Sequence, residues 1–293
     1  MHLLRKARTL VFVVIPRVIT AKCIYLYSYL IGPVYTYVYK AKLHQKILCQ
    51  HTRSQAIETI QPIHFVTLAR TEFYDLLPIY QDLLSRYLPH CFSHTYVSNR
   101  RHPLLPEALV FRQPFKWNIL NLLANHVTTK YICLLHLDYF LLAPVQHQTI
   151  INHCQLMDHD NRIDFIQLAI NCGEKRSLPY SKHFDWLDEA SPLFFNMQVR
   201  LWRVTSLMKL MLATKYCRLE HETMYSLTLK DLGQRGLIHN NFSQSDDSSI
   251  NNAIYPYMAT ALNARKWRKS FETTLLPLLT SFNVDPSIRG WTT

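Results

Sequence analysis

The sequence predicts an α/β fold with a largely parallel sheet covered on both faces by helices. Two observations carry the prediction. From Pro62 onward, short apolar runs alternate with segments of helical spacing, the order that builds a parallel sheet. The composition, 48% hydrophobic against 18% charged residues over 293 positions, is that of a chain able to bury a sizeable core.

The elements follow in order. Pro62 to Leu68 is a short apolar strand, and Glu72 to Leu88 follows with Leu76, Leu77, Tyr80, Leu83, Leu84 and Tyr87 at helical spacing. His94–Val97 and Ala108–Phe111 are two further strands. Trp117 to His126 reads as a helix, and Tyr131 to Leu137 as a buried strand ending at Asp138. Met197 to Arg203 alternates polar and apolar residues before a helical stretch, Ser206 to Leu212. In such sheets ligands sit beyond the carboxyl ends of the strands. The ends at Ala69-Arg70, Ser98-Asn99 and Asp138 are therefore the places to look.

Residues 1–50 differ from the rest. Met1 to Arg8 is basic, and Leu10 to Tyr39 is almost wholly apolar or aromatic, with Arg17 and Lys22 its charged interruptions. A central Arg or Lys costs about 2.5–3.5 kcal/mol on insertion scales, and Pro16 and Pro33 break the run. A single spanning helix therefore fits poorly. A segment lying in the membrane interface fits better, with Tyr at headgroup level and the cations reaching phosphates. The alternation of Tyr25, Tyr27, Tyr29 and of Tyr35, Tyr37, Tyr39 around Gly32-Pro33 equally describes a β-hairpin. The expected organisation is thus this N-terminal segment and one domain over residues 58–285.

The formal net charge is +12, which suits nucleic acid, an anionic membrane surface or a phosphorylated substrate. The cations gather at Arg5, Lys6 and Arg8, at Lys40, Lys42 and Lys46, and at Arg265, Lys266, Arg268 and Lys269 without forming one dense arm. No zinc finger, basic zipper or RNA-binding aromatic motif accompanies them, which leaves a nucleic-acid-binding protein as the lesser alternative. Gly numbers only 5, and neither a Walker loop nor a dinucleotide fingerprint is present. The seven cysteines are odd in number and form no C-x-x-C pair, favouring reduced thiols in the cytoplasm.

Four constellations carry candidate chemistry. Asp138, ending a buried strand before Tyr139, Phe140 and Pro144, is a carboxylate suited to a divalent metal that neutralises a diphosphate, or to capping the next turn. Leu219-Glu220-His221-Glu222 holds two carboxylates at i and i+2. They point one way on a strand or flank a bend, where one is a general base for a hydroxyl; the alternative is a solvated turn. Gln198 and Trp202 suit a sugar hydroxyl and a sugar ring, or simply the core. Tyr255-Pro256-Tyr257 and Arg265-Lys266-Trp267 place cations where a pyrophosphate would need them, or form a basic surface strip.

The order of these elements resembles a family of bacterial-type GT-A glycosyltransferases over about 200 residues, from Phe65 to Trp267. Thr67-Leu68-Ala69-Arg70 echoes the family's Thr-x-x-Arg turn and Trp117 its helix-opening Trp. Thr129 to Leu141 with Pro144-Val145 echoes the strand that ends in an acidic pair before Tyr-Phe-Leu. Met197 to Trp202, Leu219 to Glu222, Tyr255 to Tyr257 and Lys266-Trp267 echo the remaining elements in turn. Three departures stand out: Leu137 replaces one acid of the pair, Leu219 replaces a Trp, and Ala264 or Arg265 replaces the Gly before Lys-Trp.

The resemblance implies a GT-A fold and a nucleotide-sugar donor across the sheet's carboxyl edge. It implies Thr67 and Arg70 on the nucleotide, and Asp138 on the diphosphate side through Mn²⁺ or Mg²⁺, with His136 as a second metal candidate. Gln198 and Trp202 would shape the sugar site, Lys266 would approach the leaving diphosphate, and Glu222, then Glu220, would be the base of an inverting displacement. The acceptor would be a glycan or a lipid-linked molecule, at the inner face of the membrane, in cell-surface polysaccharide synthesis. The replacement of the second acid by Leu137 leaves open a catalytically degenerate relative acting as a binding module.

Overall fold

The structure, a computed structural model, describes residues 62–111, 115–169, 176–214, 222–240, 253–258 and 261–292. The chain divides into two compact units, residues 1–58 and 59–293. The expected interfacial helix or Tyr-rich hairpin of residues 1–50 lies outside the described residues. Among those described, no helix is long and apolar enough to cross a membrane.

The second unit is built on β1 (Ile63–Ala69), which pairs in parallel with β2 (Ser93–Ser98) on one side and β4 (Tyr131–His136) on the other. Along β1 and β4 both residue parities are buried, so each strand is covered on both faces. That is why their sequences run apolar without alternation. A 3₁₀ turn (Thr71–Leu76) and helix α1 (Leu77–Tyr87) connect β1 to β2. Helix α2 (Phe115–Asn125) connects β3 (Leu109–Val110) to β4. The two crossovers step in opposite directions along the sheet, so right-handed connection puts α1 and α2 on opposite faces.

The nine-stranded sheet has the order β3-β2-β1-β4-β8-β5-β9-β7-β6. Strand β8 (Arg200–Arg203) runs antiparallel to β4 and to β5 (Phe165–Gln167). Strand β9 (Gly236–His239) returns parallel to β5, then β7 (Phe184–Leu187) and β6 (Arg176–Pro179) close the edge as an antiparallel pair. Only β8 and β7 therefore run against the common direction. This is the mixed, mostly parallel sheet expected of the sequence. Helix α4 (Val204–Ala213) packs on α2 and on α5 (Glu222–Asp231).

Helix α3 (His147–His159), strands β5, β6, β7 and β9, and helix α6 (Glu272–Ser281) have no counterpart among the elements read from the sequence. In α3 the buried residues Ile150, His153, Cys154 and Met157 do keep helical spacing. Their polar members hide the apolar stripe. The two-residue strands β10 (Leu262–Asn263) and β11 (Lys266–Trp267) form a hairpin whose turn residues, Ala264 and Arg265, both have positive φ (49° and 69°).

Candidate functional site

Strands β2 and β3 lie on one side of β1, and β4 lies on the other, so the connections reverse direction between β1 and β4. Crevices at such reversals, beyond the carboxyl ends of the strands, hold ligands in α/β proteins. The register pairs Leu68 with His136 and Ala69 with Ser98. Two residues beyond the first pair stand Arg70 and Asp138, and one beyond the second stands Asn99. A cavity of about 690 Å³ opens at the ends of β2 and β3, lined by Arg101, His102, Leu105, Pro106 and Val110 among others. His102 packs at a tilt against Tyr74 of the turn that follows Arg70, 4.4 Å between rings.

Asp138 is 7% exposed. Burial pushes its carboxyl up to about 6, against the opposing pull of its backbone hydrogen bonds and of the Arg70 and Arg289 guanidiniums. His136, two residues earlier, is driven down to about 4 by burial, with Arg70 adding in the same direction. Its Nε2 is buried without a hydrogen-bond partner. Arg70 is half-buried and ion-paired to Glu72 at 2.7 Å. Neutral imidazole, a carboxyl with a raised pKa and two guanidiniums thus share one poorly hydrated corner.

The second carboxylate reaches this corner through Tyr139. Because β8 is antiparallel, the segment leading into it, Met197–Val199, arrives at the edge where β4 ends. The Tyr139 hydroxyl donates to the Met197 carbonyl at 2.6 Å, and the Met197 amide donates to Glu222 Oε1 at 2.8 Å. Burial raises the Tyr139 phenol well above its ordinary pKa, and the charges of Asp138 and Glu222 both add to that. Tyr257 packs at a tilt against Tyr139, 4.8 Å between rings, and donates to Gln198 Oε1. Tyr139, Met197, Gln198, Glu222 and Tyr257 therefore form one connected cluster, with Asp138 directly before Tyr139 in the chain.

The sequence expectations fare unevenly. Arg70, Asp138, His136, Gln198 and Glu222 are brought to the same edge. Glu222 is the first residue of α5, not part of a strand or loop bend as the i, i+2 spacing suggested; a carboxylate there is favoured by the helix dipole. Glu220 lies outside the described residues. Lys266 is exposed on β11, whose hairpin abuts Asp138 through the Ala261 amide, which donates to the Asp138 carbonyl at 3.0 Å. Two expected donor contacts sit in the core instead. Thr67 is fully buried, and its hydroxyl is committed to Tyr80 (2.6 Å) and His94 (2.7 Å). Trp202 is 3% exposed and packs its ring on Phe165 at 4.5 Å. Both are interior because both faces of the sheet are covered, so alternation in β8 does not expose one parity. Arg289, Tyr139 and Tyr257 were missed as site residues. Tyr139 and Tyr257 stood within motifs already noted, whereas Arg289 carries no local signal.

No family model matches the chain, and no curated protein is similar to it. Solved structures give partial likenesses. One is CMP:2-keto-3-deoxy-manno-octonic acid synthetase complexed with CTP, 14% identical, TM-score 0.42, over 61% of this chain and 89% of that one. Another is S. aureus TarS 1–349, 9% identical, TM-score 0.43, over 77% of this chain and 68% of that one. The TarS fragment in complex with UDP-GlcNAc gives 8% identity and a TM-score of 0.38. These scores are too low to transfer any role, so the chain's own residues must carry the chemistry.

The divalent cation implied by the sequence resemblance can be tested against those residues. Mn²⁺ and Mg²⁺ are hard cations that take oxygen ligands. Asp138 stands in the field of two guanidiniums, with one imidazole, His136, beside it, and Glu222 is engaged by the Met197 amide. Leu137, where a second acid would stand, is fully buried. Among the described residues no group of three metal-ligating side chains converges. The donor set does not fit a dedicated metal site.

Proposed function

We propose that the chain is a GT-A-type glycosyltransferase that moves a sugar from a nucleotide-sugar donor to the hydroxyl of a glycan or lipid-linked acceptor. The observation that supports this most is the relay from the Tyr139 hydroxyl to the Met197 carbonyl and from the Met197 amide to Glu222, at the sheet's switch point where Tyr139 directly follows Asp138. It ties Glu222 to the residue next to Asp138, although positions 138 and 222 are 84 apart in sequence, at an edge that also bears Arg70.

In this reading the nucleoside takes the cavity beside Arg101 and His102. The diphosphate lies against Arg70 and Lys266, whose charges offset those developing on the leaving group. Glu222, oriented by the Met197 amide, takes the proton of the acceptor hydroxyl. The acceptor oxygen bonds to C1 of the sugar as the bond to the nucleoside diphosphate breaks, which inverts the configuration. Residues 1–50 would hold the enzyme at the inner membrane face; deletion of residues 1–45 is then expected to release it from vesicles, and unchanged partitioning would remove that part of the reading.

One observation favours a second reading, a binding module without turnover: the apolar Leu137 in place of an acid. A donor-hydrolysis assay over a nucleotide-sugar panel separates the two. Turnover by the wild type that falls 10²–10⁴-fold in Glu222→Gln is expected of an enzyme with Glu222 as base. Equal turnover in both proteins would take Glu222 out of the chemistry. A rise in melting temperature with a donor but no turnover would favour the binding module.

A further inference from the structure

Arg289 lies 151 positions beyond Asp138, counting from 138 to 289, yet its charge bears on that carboxyl. Its side chain is 12% exposed and makes four polar contacts on two separate elements. Nε and Nη2 form a bidentate pair with Asp75 (2.8 and 2.5 Å), and Nη2 also donates to the Glu72 carbonyl at 3.0 Å. Both partners lie on the 3₁₀ turn that directly follows Arg70. Nη1 donates to the Arg265 carbonyl at 3.1 Å, in the turn of the β10–β11 hairpin that carries Lys266. The guanidinium also stands over Phe73 of the first element and Trp267 of the second, 5.6 and 5.9 Å from the ring centres.

The segment around Arg289 is itself fastened to the hairpin. The Trp267 amide donates to the Gly290 carbonyl at 2.9 Å, and the Thr292 amide to the Trp267 carbonyl at 2.8 Å. The planar fork of arginine suits such a junction, since it fixes a carboxylate and carbonyls in one geometry that a lysine cannot reproduce. We infer that Arg289 is a positioning residue, a clamp that locks the turn after Arg70 to the hairpin bearing Lys266 and so sets the spacing of the two cations across Asp138.

This inference rests on the glycosyltransferase reading for what the two cations bind, but the clamp has its own readout. Amide hydrogen exchange on the full chain should show the Thr71–Leu76 turn and the 262–268 hairpin loosening together in Arg289→Met, by tenfold or more, while α4 and β5 keep wild-type protection. Calorimetry with UDP, GDP, ADP and CDP should show the nucleotide that binds the wild type binding Arg289→Met at least tenfold more weakly. Arg289→Lys should not restore it. Asp75→Asn should weaken binding in the same direction, although Asp75 is placed away from the cations' ligand; it also serves if Arg289→Met does not fold. Unchanged exchange at either segment in Arg289→Met would overturn the clamp. Loss of binding in Arg289→Met with wild-type affinity in Asp75→Asn would make Arg289 a direct ligand and overturn it too. A wild type that binds none of the four nucleotides would bring down the functional reading and the positioning role with it. A wild type that binds, and an Arg289→Met that binds as well, would sink this inference alone.

Discussion

Arg200 shows how much one residue can hold in this fold. It is fully buried at the start of β8. Its Nε donates to Gln167 Oε1 at 2.5 Å, its Nη1 to the Phe194 carbonyl at 2.7 Å, and its guanidinium stacks 4.7 Å from the Phe165 ring. It thus joins β5 to the loop that leads into Met197 and Gln198. Arg200→Ala would leave a buried amide oxygen and a buried carbonyl without donors, at about 1–3 kcal/mol each, besides the lost packing. The expected loss is about 4 kcal/mol of unfolding free energy in a urea melt; a loss under 1 kcal/mol would mean that the loop holds without it. Legibility at this scale divides by neighbourhood. Asp138 and Gln198 were readable because each belongs to a local pattern. The burial of Trp202 was one of the two readings its pattern offered, whereas that of Thr67 was not readable, since it depends on strands and helices brought in from elsewhere in the chain.

At the scale of elements, the β10–β11 hairpin exposes a cost visible only in the backbone. Both turn residues adopt the left-handed region, the requirement of a two-residue turn that matches the twist of its strands. Non-glycine residues there each cost roughly 1 kcal/mol. The resemblance places a glycine at Ala264 or Arg265, before Lys-Trp, and Arg265 is the more strongly positive of the two at φ 69°. Arg265→Gly should therefore relieve strain and raise stability by about 1 kcal/mol, a rise of about 2–4 °C in melting temperature for a unit of this size. The Arg265 carbonyl that receives Arg289 is kept in that variant. A lower melting temperature would show that the arginine side chain contributes more than its backbone costs. Gly236 is bound by space instead: a Cβ there would fall 2.1 Å from the Phe165 ring, so Gly236→Ala should destabilise β9 against β5 while Arg265→Gly does the reverse. The core of the parallel half, β1 and β4, was legible because both strands are apolar and buried on both faces and are flanked by helical spacing. The antiparallel insertion of β8 was not, because pairing direction is decided by contacts distant in sequence. That insertion is what carries Met197 to Tyr139 and closes the site.

The whole molecule has an electrostatic property that follows from its buried His153 and several half-buried histidines. His94 and His153 are pushed down to about 3, and His239 to about 4, chiefly by burial; His64 shifts the same way for the same reason. His153 and His239 meet at 3.0 Å between their Nε2 atoms, one imidazole donating to the other. The unfolded chain protonates its histidines near 6.5, so their contribution to stability is complete above that pH. As pH falls below it, the unfolded state gains protons that the folded state refuses, and stability drops until the folded pKa values are reached. Each such proton is worth about 1.4 kcal/mol per pH unit. His136 and Asp138 offset one another to first order, because the raised Asp138 carboxyl takes a proton in the folded state near pH 6 while the unfolded one waits until about 4. His94 and His153 then set a slope of about 3 kcal/mol per pH unit between pH 6 and 4, with a screened addition from the less deeply buried His64 and His239. Against a total stability of about 5–15 kcal/mol, acid unfolding should set in above the carboxylate range, between pH 4 and 5. Denaturant midpoints at pH 7.5, 6 and 5 should fall in that order, and His153→Leu should flatten the fall by close to one proton. Equal midpoints at pH 7.5 and 5 would mean that these imidazoles charge without disturbing the fold, and that their surroundings are wetter than the packing of His153 against Phe184 and His239 implies.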